Sequence, residues 1–563
     1  MDYLSNLSLY GSGLSQSHAS QAALSSTILG VLFHLTIASR MKMEYIIYPL
    51  LGAAFLAMIA MASVYLFAGM SILGTTARMC IIAGCFNAGL FSSMVIYRLF
   101  FHRLRNFPGP LGSKISRVFD AHRAAKDVRY YKEIAKLNKE YGDFIRTGPR
   151  ELCIVRASAV QAIYGPTSKC GKGAWYAQSS TDHDRASLHM SVDFDKHKAR
   201  RRAWDKSFAV KALHTYEPRI KVLVDQLITQ ISKRGTLDVT AWSMYLSFDV
   251  MGEIGFSKDF GCVSNAKEHS AIKAIHDHLV VLSIGSHMPW LLNLASKIPG
   301  ATAGYAEFFN YCEAQVNAKT KNLDLSKYPE DIMSWLLKPV VERDASASPT
   351  KESLNDDARL LIIAGSDTTA LTLAQALFLL AKNPAVFKKL QGLVDAAMPS
   401  ASDWTYEKTR SITYIDNIID ETLRLKPAVT VGFYRETPPE GIQVDEQYIP
   451  GNTVVIVPTQ MIQTDPRYWH EVAEFVPERF GERKAEMGTD RSPYFPFSLG
   501  AYSCPGKNMA ITTMRIALSR IAQEFDISFA SSEKDIEEFD KNHVDTITAS
   551  LPPLMLRFTP RKG

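Results

Sequence analysis

Several common signatures are scarce or missing in this chain of 563 residues. The seven cysteines, Cys80, Cys85, Cys153, Cys170, Cys262, Cys312 and Cys504, are scattered, odd in number and contain no C-x-x-C pair. That excludes a disulfide framework and a zinc knuckle, and it suits a main domain facing a reducing compartment. A strong charge bias is also missing. The net charge of +6 is too mild to argue for a nucleic-acid partner. No glycine-rich fingerprint for a flavin or a nicotinamide nucleotide is found. The first 21 residues hold no Lys or Arg, so the basic start of a cleavable signal peptide is absent.

Long apolar runs, in contrast, are plentiful at the front. Residues 45–69 carry no charge, and 79–99 carry none before Arg98. Each is long enough to cross a bilayer. Residues 22–39 form a weaker third candidate, interrupted by His34 and several Ser and Thr. The region 1–105 therefore reads as a membrane anchor of two to three helices. Arg40 and Lys42 follow the first segment, and Arg98, His102, Arg103 and Arg105 close the third. The excess of positive charge on the cytosolic side then puts the N-terminus in the lumen and the rest of the chain in the cytosol. Asn6-Leu7-Ser8 is a glycosylation sequon on the expected lumenal side. Residues 106–112, with Phe107-Pro108-Gly109-Pro110-Leu111-Gly112, read as a stiff hinge. Residues 113–563 make the remaining domain, mostly helical with short strands. Phe144–Thr147 and Leu152–Val155 flank a Gly-Pro turn and predict a hairpin. Helices are expected over 157–163, around His197, within 216–322, and from a capping box at Ser353 to Asn383-Pro384. Residues 171–193 and 338–351 read as loops.

The most informative stretch is Phe497-Ser498-Leu499-Gly500-Ala501-Tyr502-Ser503-Cys504-Pro505-Gly506, followed by a helical pattern. A thiolate needs nearby donors, and N–H groups at a helix start supply them. Glycines let backbone approach a flat macrocycle. This loop resembles the haem-thiolate signature of the cytochrome P-450 family, Phe-x-x-Gly-x-Arg/His-x-Cys-x-Gly. The resemblance makes Cys504 the axial ligand of haem iron, with Phe497, Gly500, Tyr502 and Gly506 around the cofactor. Tyr502 departs from the pattern, standing where Arg or His usually holds a haem propionate. A phenol donates a hydrogen bond but brings no charge.

Three further motifs follow in the family's order. His197 and Arg201 lie four apart on one helix face. They match residues that reach haem propionates, with Phe208 in the family's usual place just after. Arg200, Arg202 and Lys206 remain as an expected docking face for an acidic redox partner. Ala364-Gly365-Ser366-Asp367-Thr368-Thr369 weakens a helix locally, since glycine there costs about 1 kcal/mol relative to alanine. The resemblance makes this the groove beside the iron. Thr368 would hydrogen-bond dioxygen and relay protons supplied by Asp367, while Ala364 and Gly365 leave room. Glu421 and Arg424, three apart, together with Arg479 resemble the family's structural Glu-Arg-Arg network. Arg435 matches a further propionate anchor, and Val429, Val431, Gly432 and 546–549 are expected at the substrate pocket.

The resemblance covers roughly 107–560 and implies a mainly α fold with small β-sheets (α+β), the cytochrome P-450 fold preceded by transmembrane helices. It also implies a fungal, microsomal monooxygenase of apolar small molecules in secondary metabolism. The cofactor would be haem b, with electrons from NADPH through a separate reductase. Two rivals stand beside it: an isomerase or dehydratase that needs no outside electrons, and a non-catalytic membrane haem protein. Substrate and pathway are not legible.

Overall fold

Three apolar helices occupy the first of two units, Met1–Ser116 and Arg117–Gly563. The computed structural model describes residues 19–41, 43–173, 175–176, 185–295, 298, 303–324 and 326–561. The Asn6 sequon and part of the 171–193 loop lie outside them. Helix α1 spans Ala19–Phe33 and continues through His34–Ala38, α2 spans Met43–Phe67, and α3 spans Ile72–Ile96 and continues to Phe101. All three are long and apolar enough to cross a membrane. The third begins earlier than the sequence suggests, because Arg78 is taken into the helix rather than marking its edge. Glycine brings α1 and α3 together. A Cβ at Gly30 would meet the Phe86 carbonyl at 2.1 Å, and one at Gly89 would meet that of Thr27 at 2.1 Å. Such close backbone approach is how apolar helices gain contact without a hydrophobic driving force. The Pro/Gly stretch holds no helix until Pro110 caps a short one at Leu111–Ile115.

In the second unit, strand β1 (Phe144–Gly148) pairs with β2 (Glu151–Ile154), so the hairpin turn is only Pro149-Arg150. Helix α4 (Ala157–Tyr164) follows, then α5 (Phe194–Ser207), α6 (Val210–Arg234), β3 (Thr236–Asp238) and α7 (Val239–Phe256). Helices α8 (Ser270–Ser286) and α9 (Ala303–Lys321) lead to the 32-residue α10 (Lys351–Lys382). Thr350 caps α10, its side chain accepting from the Ser353 N–H at 3.1 Å, so the helix starts before the expected capping box. The expected loop at 338–351 is shorter for the same reason, and because helix Ile332–Glu342 covers its front. Helix α11 (Thr413–Leu425) precedes β4 (Arg435–Glu436), β5 (Ile442–Val444), β6 (Gln447–Ile449) and β7 (Val454–Ile456). Helix α12 (Lys507–Glu524) is followed by β8 (Phe525–Phe529), β9 (Val544–Thr546), β10 (Thr548–Ser550) and β11 (Met555–Pro560).

The strands form small sheets among many helices, as expected. One runs β1-β2-β7-β4, parallel only between β2 and β7, and another runs β3-β11-β8. The main core joins α6, α7, α10, α11 and α12. Helix α10 is apolar enough to resemble a membrane span, yet 72% of its apolar window is buried by protein. Apolar residues all round a helix are what burial on every side requires.

Candidate active site

The loop before α12 folds as a cradle for one sulfur. Gly500 has φ +62, and a Cβ there would meet the carbonyls of Gly165 and Tyr164 at 2.7 and 2.8 Å. The Cys504 N–H donates to the Phe497 carbonyl at 2.9 Å, which closes the loop. Gly506 caps α12. Cys504 sits deep in the protein, yet its side chain is exposed, so it faces interior space rather than packed neighbours. Burial pushes its thiol up; the N–H groups of Gly506 and Lys507 and the charge of Arg201 pull the other way. Those donors are the ones a thiolate uses. Among the described residues no group of three or more His, Cys, Asp and Glu is placed to hold a metal ion by itself.

Helix α5 leans on this loop. Arg201 donates to the Ser503 carbonyl at 2.6 Å and pairs with Asp205 at 2.7 Å. His197 is buried, its ring 4.7 Å from that of Tyr502. Burial first, then Lys172, Arg201 and Arg200, lowers the His197 pKa to about 2, so the ring is neutral at physiological pH. Arg200 does not join the expected docking face. It is buried and donates to Asp357 at 2.7 Å and to the Ala186 carbonyl at 2.8 Å. Only Arg202 and Lys206 of that trio are exposed. The i, i+3 and i+4 spacing could not tell which flank of the helix met protein. Arg435, on β4, is buried, donates to the Tyr176 hydroxyl at 3.1 Å, and lies over the rings of Tyr164 and Tyr502.

The weak stretch of α10 divides by face. Ala364 is exposed in the middle of an otherwise buried helix. The Thr368 hydroxyl donates to the Ala364 carbonyl at 2.7 Å, one turn back. Gly365 points the other way. A Cβ there would fall 2.1 Å from the Met251 sulfur, so this glycine serves the contact with α7 rather than the open side at Ala364. Ser366 and Thr372 also donate to carbonyls four residues earlier, at 2.5 and 2.8 Å. Asp367 is buried and lies 3.8 Å from His276 of α8. Nothing in the sequence marked His276, because the pairing joins two helices about ninety residues apart.

Beneath the loop, Glu421, Arg424 and Arg479 are fully buried. Arg424 grips Glu421 through two bonds of 2.8 Å, and Arg479 reaches it at 3.2 Å. The Val476 N–H adds a third partner at 3.0 Å. Carbonyls of Gln463, Val472, Glu474, His470 and Glu471 take the remaining guanidinium donors. This supplies the further partners that a buried pair requires. The Ala549 N–H of the C-terminal hairpin donates to the Ala428 carbonyl at 2.9 Å, and both pack with Leu371 of α10.

The family model described as "Cytochrome P450" matches residues 110–556. The chain belongs to the cytochrome P-450 family. This P-450 is 38% identical over 475 residues to a cytochrome P-450 monooxygenase of Eupenicillium brefeldianum, covering 84% of this chain and 94% of the relative. It is 34% identical to one from Fusarium pseudograminearum, covering 95% and 97% of the two chains. A tryprostatin B 6-hydroxylase of Neosartorya fischeri is 30% identical, with 82% and 83% covered. The family is one of haem-thiolate enzymes, and the residues here fit that group. One thiol faces interior space beside two N–H donors. Close by, Arg435 Nε and the Tyr502 hydroxyl are buried without a hydrogen-bond acceptor, as groups awaiting an anionic partner would be.

Proposed function

We propose that this cytochrome P-450 is a haem-thiolate monooxygenase that oxidises an apolar small molecule in fungal secondary metabolism. Electrons would come from NADPH through a separate reductase. The observation that carries this reading is the deep-set but exposed Cys504 thiol, cradled at the start of α12. In this reading Cys504 ligates the iron, while His197, Arg201 and Arg435 face the propionates. Phe497, Gly500, Tyr502 and Gly506 shape the loop. Bound haem supplies the activation of dioxygen; the protein orients substrate, excludes water and delivers protons. Proton delivery falls to Thr368 and Asp367. The Thr368 hydroxyl oxygen keeps a free lone pair while donating to Ala364. Asp367 receives protons from the His276 side. Arg202 and Lys206 remain as the exposed part of a reductase-docking face.

The chain would sit in the endoplasmic reticulum membrane, with residues 1–105 as a multi-pass anchor, 106–112 as the hinge and 113–563 in the cytosol. Support comes from three apolar helices and the positive charge that follows them.

The test is mass spectrometry of membranes holding this protein and a reductase, given a host metabolite extract. An NADPH-dependent product with one extra oxygen, lost in Cys504→Ser together with the reduced carbon-monoxide band, is expected. Thr368→Ala should divert a larger share of NADPH to peroxide. A product formed equally without NADPH would sink the monooxygenase reading.

A further inference from the structure

Position 502 lacks the cation that the loop pattern calls for, yet the space around it is strongly cationic. Lys172 Nζ lies 4.9 Å from the centre of the Tyr502 ring, and the Arg435 guanidinium lies 4.8 Å from it. Lys172 is 6% exposed. Burial first, then Arg435, Arg200 and Arg201, holds its pKa well below the ordinary lysine value, so only an anion close by restores its full charge. Its amino nitrogen makes one hydrogen bond, to the Leu188 carbonyl at 3.1 Å. Among the described residues no carboxylate pairs with it. The charged groups that act on it, Arg435, Arg200 and Arg201, are all positive. Arg200 is already matched by Asp357 and Arg201 by Asp205. His197 and His189 are both held neutral by burial and by these same cations. Three buried donors therefore converge with spare capacity: the Lys172 ammonium, Arg435 Nε and the Tyr502 hydroxyl. A buried cation without a counter-charge is strongly disfavoured. An anion bound here would find donors with spare capacity on all three side chains.

Resting on the haem reading above, we propose that Lys172 is a haem-carboxylate anchor that replaces the cation missing at position 502. The charge has moved from the cysteine loop to the segment before α5. There the Tyr502 ring lies under both cations, holding them by cation–π contact. Gly171 fixes this segment in place by bridging to Glu436, next to Arg435 on β4, with N···O distances of 3.1 and 2.9 Å. The cationic pair is thus built on one sheet edge.

The test uses the detergent-solubilised full-length holoprotein and measures haem loss to a scavenging globin. Lys172→Met should lose haem roughly ten- to hundredfold faster, the range seen when groups supporting the ligands of a bound metal are removed. Lys172→Arg should stay near wild type. Lys172→Met/Tyr502→Arg should recover most of the retention, because the charge returns from the other side. The position of the reduced carbon-monoxide band should not change in any of them, since the thiolate is untouched. Wild-type retention in Lys172→Met overturns the proposal. So does a double variant that loses haem as fast as the single one, or in which neither variant assembles with haem. Absence of the thiolate-type band in the wild-type protein would instead refute the haem reading itself.

Discussion

At the scale of single residues, Glu421 makes the sharpest case. Its single negative charge is shared by two fully buried guanidinium groups. Removing one partner from such a network costs about 3–5 kcal/mol, because charge is left buried and unmatched. Glu421→Gln is therefore expected to lower the ratio of haem absorbance to protein severalfold, while Thr→Ser changes on the exposed surface leave it alone. A normal ratio would show that the arginines find other anions. The pairing of Glu421 with Arg424 was legible from i, i+3 spacing, and Arg479 from its motif. Legibility failed where one residue type serves either purpose. Gly365 looked like room for a ligand and is a contact for Met251; Arg200 looked like surface and is tied to Asp357. Spacing gives a helix face but not what lies opposite it. Lys172 stayed hidden because nothing local distinguishes a buried lysine from an exposed one.

At the scale of elements, the C-terminal hairpin of β9 and β10 carries a buried acid. Asp545 is nearly inaccessible, and burial raises its pKa to about 7, with only Thr430 and the Ile547 N–H favouring the charged form. An acid whose pKa rises on folding binds more protons folded than unfolded. Stability then falls as pH climbs from the unfolded value near 4 to about 7, and stays lowered above that. Asp545→Asn removes the penalty. Its melting temperature should exceed wild type at pH 8, by a free-energy gain of roughly 4 kcal/mol at most, and approach wild type at pH 5. An equal difference at both pH values would mean that the carboxyl is not titrating. Helix positions in the catalytic unit were readable from apolar periodicity, whereas their starts were not. Thr350 outcompetes the Ser353 box because a hydroxyl three residues ahead of a free N–H caps equally well. Strand pairing was readable only for the local hairpin. Residues far apart in the chain, as in β2 with β7, leave no local mark.

At the scale of the whole molecule, composition alone separated an apolar front from a mixed remainder, and the two units divide at Ser116 and Arg117. The proposed orientation can be checked on sealed microsomes. Protease should remove a tag at the C-terminus without detergent, and a tag at the N-terminus should survive until detergent is added. The reverse pattern would invert the anchor. Family membership was legible because its motifs are short and ordered along the chain. The substrate was not, since apolar residues that meet in space, such as Ala428, Leu371 and Ala549, come from distant segments and share only their apolar character.

The pairing of β2 with β7 also sets a schedule for synthesis. Cys153 sits beside Ile456, so roughly 300 residues must leave the ribosome before the first hairpin finds its parallel neighbour. At about 5–20 residues per second, that is a wait of roughly 15–60 s. During it the edge of β2 has no strand beside it and is open to the wrong one. The cysteine loop emerges later still. The sheet of β1, β2, β7 and β4 is therefore completed only after most of the chain has been made.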